Sequence, residues 1–321
     1  MTGGPDLFAL GVGGPDVDVL GVDVGGTKVA LRAEATGRPA YERTFAWPAG
    51  GDPADDLAAL DAEVVALRAA WGPVGAVGVA MPAITDPDGR VLTWPGRPSW
   101  TGLDLAGALR RLFPDSPTAY ADDGDLAALA EARHAGHDDL VYLGVGTGVG
   151  GGIVLAGRPV PAGASAEVGH MVVDLHGERC DCGRTGCLQA VAAGPATLRR
   201  AARERGGEVT FDQLRDGLRD QRPWAVDAVH ASCAALAAAV VSLGELLAVP
   251  VAVVGGGFAD GLPGFVPLVA DLARHAGRPG RPAPTVRAAA LGGLSSLHGA
   301  LWLARHLRER PTATARKEPV R

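Results

Sequence analysis

LGVDVGGTKVALR, residues 20–32, sets two apolar runs around a pair of glycines. Asp18–Val22 reads as a strand, DVGGTK from Asp23 as a glycine turn and Val29–Arg32 as the returning strand, together a β-hairpin. The pattern comes back in the second half: Leu140–Val145 is a strand, GTGVGGG from Gly146 a turn, and Ile153–Leu155 the return. Two hairpins with glycine tips imply an internal duplication. A third strand, Val251–Val254, runs into Gly255, Gly256 and Gly257. At such turns free backbone N–H groups form a concave anion site, and the missing Cβ lets phosphate oxygens approach. Each turn taken singly is equally an ordinary hairpin; three in one chain can converge on one ligand. GTGVGGG leads from strand to strand rather than into a helix, and no Walker lysine motif is present, so dinucleotide binding is disfavoured.

Outward from these hairpins, strands and helices alternate, the pattern of an α/β protein. Helices are expected at about Asp55–Trp71, where Leu57, Leu60, Val64 and Leu67 recur at helical spacing, and at Leu105–Phe113 and Leu126–His134. Val74–Met81 reads as a buried strand ended by Pro82, and Ala119–Ala121 as another. The apolar stretch Ala234–Leu247 is expected to be a helix buried within its own lobe. With 321 residues, 47% of them hydrophobic, the chain can fill two cores with a cleft between them. A net charge of -6 with interspersed signs offers no basic stripe for nucleic acid. No run approaches eighteen uninterrupted apolar residues and the N-terminus lacks a positive n-region, so the expected location is cytoplasmic, with no membrane partner. The first sixteen residues and the tail from Pro311 to Arg321 are expected to be mobile.

Three of the four cysteines are packed into CDCGRTGC, residues 180–187. With His170, the thiols of Cys180, Cys182 and Cys187 can close a tetrahedral zinc site with no open position, hence a structural one. The plain alternative is three buried free thiols. Cys233 stands alone in an apolar helix and reads as core.

In their order along the chain, DVGGTK, GTGVGGG, AEVGH from Ala166, CDCGRTGC and VVGGG from Val253 resemble the ROK family of sugar kinases and repressors. The resemblance implies an actin-like (ribonuclease H-like) two-lobed ATPase fold. Residues 1–122 would form a small lobe, to which a helix at about 298–310 returns, and 123–297 a larger lobe with the zinc loop. It implies ATP with magnesium, one structural zinc, a small sugar-like substrate and a homodimer as the family's usual assembly. Asp123 would be the base that takes the proton from the attacking hydroxyl, with Asp125 capping the helix. Asp23 would face the magnesium-bound phosphates beside Gly25, Gly26, Thr27 and Lys28. Gly146, Thr147, Gly148 and Gly150 would also meet phosphate, and Gly255, Gly256 and Gly257 the adenosine. Glu167 and His170 would face the substrate, His170 also binding zinc.

Four positions depart from the family pattern: Gly96 stands where an Asn contacts the ring, Asp122 replaces the Asn before the base, Gln189 replaces an acid, and Ala83 follows Pro82. These changes, with the phosphate turns and zinc ligands retained, imply phosphoryl transfer to a hydroxymethyl group on a sugar-like ring other than glucose. The Asp122 carboxylate favours an amino group near the ring's 3-position, as in kanosamine; Gln189 points instead to a C7-cyclitol of the valiolone type. An ordinary hexose follows if Asp122 is only a helix cap, and a sugar sensor without turnover is the non-enzyme alternative. A repressor is not expected, because only twenty-two residues precede Asp23.

Overall fold

A computed structural model of the chain describes residues 18–161 and 165–309. Expectations for residues 1–16 and 311–321 therefore lie outside the described residues. The chain divides into two compact units: the first ends at Asp123 and resumes at Leu297, and the second is Gly124–Ser296.

The first unit contains β1 (Val19–Val24), β2 (Lys28–Ala35), β3 (Arg38–Ala46), α1 (Pro53–Trp71), β4 (Ala76–Ala80), the short ribbon β5 (Ile84–Thr85) and β6 (Val91–Thr93), α2 (Leu105–Leu112) and β7 (Thr118–Ala121). The next helix, α3 (Asp123–Ala135), carries the chain into the second unit. There follow β8 (Leu140–Val145), β9 (Val149–Leu155), β10 (Arg158–Val160), α4 (Leu188–Ala192), α5 (Gly194–Arg205), α6 (Phe211–Arg219), α7 (Pro223–Leu247), β11 (Val251–Gly255), α8 (Gly257–Asp260), α9 (Phe265–Ala276) and β12 (Thr285–Ala288). The last helix is α10 (Ser295–Glu309).

The duplication is written in the sheets. Their strand orders, β3-β2-β1-β4-β7 and β10-β9-β8-β11-β12, are the same arrangement twice: an antiparallel meander of three strands with two parallel strands added beside the first. A strand buried on both faces needs a continuous apolar run, and β1, β4, β8 and β11 supply it. In α1, the Asp52 carboxylate accepts the Ala54 N–H at 2.8 Å, Pro53 opens the helix, and Gly72 at φ 104° ends it. Leu60, Val64, Leu67 and Trp71 of α1 bury against Leu20, Val22 and Val79 in one core of the unit.

The other face of that sheet receives α10, and two glycines make room for it. Gly21 and Gly78 are register partners in β1 and β4. A Cβ on Gly21 would lie 2.8 Å from Leu301 Cγ, and one on Gly78 would lie 2.0 Å from the Ala300 carbonyl oxygen. Backbone cannot yield as a side chain does, so we expect Gly78→Ala to cost about 3 kcal/mol, the upper part of the overpacking range. Urea titration should show this as a lowered midpoint, while Gly207→Ala, with nothing within 4 Å of its Cβ, stays near wild type.

In the second unit, α7 is long and apolar enough to cross a membrane by length and composition. It instead packs along α9, α5, α4 and α6, with Val229, Leu236, Val240 and Leu243 in the core, as expected for its Ala234–Leu247 portion. Cys233 of this helix is fully buried, and burial pushes its thiol up to about 12.

Candidate functional site

The first glycine turn joins β1 to β2. Gly25 N–H donates to the Lys28 carbonyl at 2.9 Å, which closes the turn; Asp23 is half-buried at the end of β1, while Thr27 and Lys28 are exposed. Gly96 of the Trp94–Trp100 loop lies against it, so close that a Cβ on Gly96 would be 3.2 Å from Gly26 Cα. Ala83 packs beside the same core that holds the turn's strands.

In the second unit two glycine turns meet. Gly146 N–H donates to the Gly148 carbonyl at 2.9 Å, and the Gly146 carbonyl accepts the Gly194 N–H at the start of α5, also at 2.9 Å. Gly256, at φ 95°, presses on the strand that leads into this turn: its Cβ would lie 2.6 Å from the Val145 backbone N and O. Only glycine suits that conformation and that contact. Among the described residues nothing lies within 4 Å of a Cβ built on Gly146, Gly150 or Gly257.

GTGVGGG proves to be two devices. The turn ends at Gly148, and β9 begins at Val149, four residues before the return expected from sequence, so Gly150 is a strand residue paired with Gly144. Gly151 and Gly152 are the surface on which α3 rests. A Cβ on Gly124 would lie 2.4 Å from the Gly151 carbonyl, and one on Gly152 would lie 2.6 Å from the Gly124 carbonyl. That seat lets α3 start at Asp123 despite Gly124. Asp125, expected as the cap, is therefore a buried residue inside the helix rather than the residue ahead of it. Asp122 and Asp123 are half-buried at this helix start.

At the far end of α3, the buried Glu131 carboxylate accepts the N–H groups of Ala290 and Leu291 at 2.9 and 3.0 Å and the Ser295 hydroxyl at 2.7 Å. It ties α3 to the segment that leads into α10.

The cysteine cluster is assembled by a short pairing rather than by a helix. Val172 bridges to Cys187, Val173 N–H donates to the Gly186 carbonyl at 2.8 Å, and Arg179 bridges to Thr185. His170, just ahead of Val172, is thus brought beside the loop. Gly186 must be glycine here, at φ 76° with its Cβ position 1.5 Å from the Asp174 carbonyl. The ligand atoms of His170, Cys180, Cys182 and Cys187 all lie within 4.8 Å of one another. Cys182 Sγ is 3.6 Å from Cys187 Sγ, and Cys180 Sγ is 3.7 Å from His170 Nδ1. A tetrahedral zinc with Zn–S near 2.3 Å sets its ligand atoms roughly 3.8 Å apart, so the donor set fits that ion. As bare thiols two members of the cluster diverge: burial, with the neighbouring cysteines adding to it, pushes Cys187 up to about 12, whereas the Arg184 backbone N–H holds the exposed Cys182 thiol below its ordinary value.

Substrate-side candidates surround the cluster. Glu167 precedes a 3₁₀ turn, Val168–His170, and its Oε2 is 3.9 Å from His170 Nε2, the ring nitrogen opposite the thiols. Gln189 donates from Nε2 to Cys180 Sγ at 3.4 Å, and its Oε1 is the atom nearest a Cβ built on Gly148, at 3.2 Å. One amide thus binds the cysteine loop and lies beside the second glycine turn. Sequence reasoning missed Trp47, which bonds the first turn, and Arg97 and Asp56, which stand behind it; the signal available was a tryptophan and an arginine flanking loops already read as part of the site.

The sequence pattern of the ROK family matches residues 19–307. The chain is 52% identical over 288 residues to the kanosamine kinase of Amycolatopsis mediterranei (strain S699), covering 89% of this chain and 95% of that protein. Among solved structures it is similar to a ROK hexokinase from Thermus thermophilus, with a TM-score of 0.78 at 30% identity over 89% of this chain and 97% of that one. It is also similar to a ROK family glucokinase from Streptomyces griseus in complex with glucose and AMPPNP, with a TM-score of 0.73 at 28% identity, covering 90% and 99%. The α/β, actin-like fold expected from the family resemblance is the fold of these structures.

Proposed function

Because the chain belongs to the ROK family and is a sugar kinase, we propose that it transfers the γ-phosphoryl group of ATP to the hydroxymethyl oxygen of a 3-amino hexose of the kanosamine type. The carrying observation is the 52% identity to a kanosamine kinase, extending over nearly the full length of both chains. The departures at Gly96, Asp122, Gln189 and Ala83 agree with a substrate other than glucose.

In this reading Asp123 accepts the proton of the attacking hydroxyl, held by the start of α3 on its glycine seat. Asp122, its neighbour, supplies a carboxylate for the ring ammonium. Glu167 and His170 bind ring hydroxyls, and Gln189 keeps the cysteine loop in register with the second phosphate turn. The turns at Gly25–Lys28 and Gly146–Gly148 cradle phosphate, with Asp23 facing it, and Gly255–Gly257 line the adenosine side. Magnesium bound with ATP would neutralise the phosphate charge. His170, Cys180, Cys182 and Cys187 would hold a structural zinc that supplies rigidity rather than chemistry. A kinase drawing on ATP works in the cytoplasm, the location read from the sequence.

Gln189 has a use that needs no change in ring chemistry, its contact with Cys180 Sγ, and this favours the amino hexose over the cyclitol. The test is a coupled ATP-consumption assay with kanosamine, glucose, glucosamine, N-acetylmannosamine and 2-epi-5-epi-valiolone. A carboxylate left without its cation is costly, so kcat/KM for kanosamine should exceed that for glucose by about 10²-fold or more. Asp122→Asn should collapse that ratio. Equal use of glucose and kanosamine by the wild-type enzyme would sink the amino-hexose reading, and preference for the cyclitol would move the weight to Gln189.

A further inference from the structure

Trp47 stands just beyond β3 and is nearly fully buried. Its indole N–H donates to the Gly25 carbonyl at 2.7 Å, and its backbone N–H donates to the Thr27 carbonyl at 3.2 Å. One residue thus grips both limbs of the first glycine turn. Its ring is itself fixed from the side, edge-on to Trp100 at 5.9 Å and to Phe45 at 5.6 Å, with the Arg97 guanidinium 5.1 Å from its centre. Arg97 donates to both oxygens of Asp56, at 2.9 and 2.8 Å, and Asp56, with no exposed surface, also accepts the Trp100 indole N–H at 2.9 Å. Trp94 packs edge-on to Trp100 at 4.8 Å, and between these tryptophans the Gly96 backbone touches Gly26.

Cohesion alone does not account for this arrangement. A buried ion pair contributes little over apolar residues of the same volume, and among the described residues Arg97 Nε finds no acceptor in its buried position. What the polar groups add is direction. In a trans peptide the C=O and N–H point to opposite sides, so holding the Gly25 carbonyl toward Trp47 aims the Gly26 N–H away from it, to the other side of the turn. Losing that constraint leaves a glycine peptide free to rotate.

We propose that Trp47, backed by Arg97 and Asp56, is a positioning residue for nucleotide binding: it orients the Gly25–Gly26 peptide toward phosphate and couples that turn to the Trp94–Trp100 loop. The proposal rests on the reading that the first turn meets ATP phosphate. Trp47→Phe keeps an aromatic ring in the packing and removes the indole donor together with the second ring, so its urea midpoint is measured beside its affinity. Calorimetry with AMPPNP in the absence of sugar should show Kd raised about five- to tenfold, the size of one net hydrogen bond. KM for ATP should rise alike, with kcat and the sugar KM close to wild type. Gly96→Ala, which presses on Gly26 Cα, should weaken AMPPNP as well, and the double variant should lose less than the product of the two because both act on one peptide.

An AMPPNP Kd within twofold of wild type in Trp47→Phe, whatever happens to its urea midpoint, overturns the proposal and leaves Trp47 a core residue. Should Trp47→Phe lack a cooperative unfolding transition, Gly96→Ala decides alone, and unchanged affinity in it has the same meaning. Binding of AMPPNP is independent of which sugar is phosphorylated, so failure of the kanosamine reading leaves this measurement intact. Failure of the wild-type chain to bind AMPPNP would remove the phosphate-turn reading itself, and the proposal with it.

Discussion

Asp123→Asn is expected to lower kcat by 10²- to 10⁴-fold, the contribution of a positioned general base, while leaving AMPPNP affinity and the sugar KM within a few-fold of wild type. The amide has the carboxylate's shape and cannot take the hydroxyl proton. Its effect on stability should be small by comparison. A carboxylate in the first turn of a helix gains about 0.3–1 kcal/mol from the helix dipole, and α3 owes its position to the contact of Gly124 with Gly151 and Gly152 rather than to that charge. A loss of kcat matched by an equal loss of folded protein would show that Asp123 only supports the helix. Retention of more than a tenth of the wild-type kcat in a folded variant would move the base elsewhere. The neighbouring Asp122→Asn provides the contrast, since it should change which sugar is preferred more than how fast phosphoryl transfer proceeds.

The hairpins were legible because burial on both faces forces unbroken apolar runs, and a run that stops at two glycines has few structural meanings. β3 was not, because it is the exposed edge of its sheet, with no apolar alternation in Arg38–Ala46 to betray it. The division of labour inside GTGVGGG was also hidden. A glycine that frees a turn and a glycine that seats a helix are the same letter, and only the contact of Gly151 and Gly152 with the start of α3 separates them. Likewise Gly21 and Gly78, inside strands that read as ordinary buried segments, are explained only by α10, which approaches from more than two hundred residues away.

Of the site, the cluster of His170 with Cys180, Cys182 and Cys187 could be read locally because three of its members stand within eight residues at a spacing that suits a metal. The surroundings of the first turn could not. Asp56 lies in a helix whose acidic first turn looks like simple capping, and its partner Arg97 is in another loop. Nothing in either stretch announces a buried ion pair. A motif gathered in one stretch is visible in sequence; the contacts that hold the first turn are distributed over tertiary structure.

Metal removal should have the second large effect. The purified enzyme is expected to contain one zinc per chain, and stripping it with a chelator should abolish sugar phosphorylation while AMPPNP binding suffers less. The loop that carries the thiols has little apolar substance of its own: Cys180, Cys187 and Ala190 form a small cluster apart from the main core of the unit. Its other ties are polar: the pairing of Val172 with Cys187 and of Arg179 with Thr185, the backbone bonds around Gly186, and the ion pair of Glu178 with Arg203. Metal binding is worth roughly 10–16 kcal/mol of apparent free energy in small zinc domains, enough to order such a loop outright. Here the second unit keeps its own core, so loss of the ion should open the loop rather than unfold the unit. Glu167, His170 and Gln189 would lose their positions with it, which is why the sugar KM should respond before the ATP KM. Limited trypsin digestion reads this directly, since Arg179 and Arg184 are exposed on the loop: both should be cut quickly after chelation and slowly before it, and readdition of zinc should restore protection. Fully active enzyme with less than about a tenth of a zinc per chain would show that the four ligands are merely packed thiols and an imidazole, and that the substrate face is held by the backbone pairing alone.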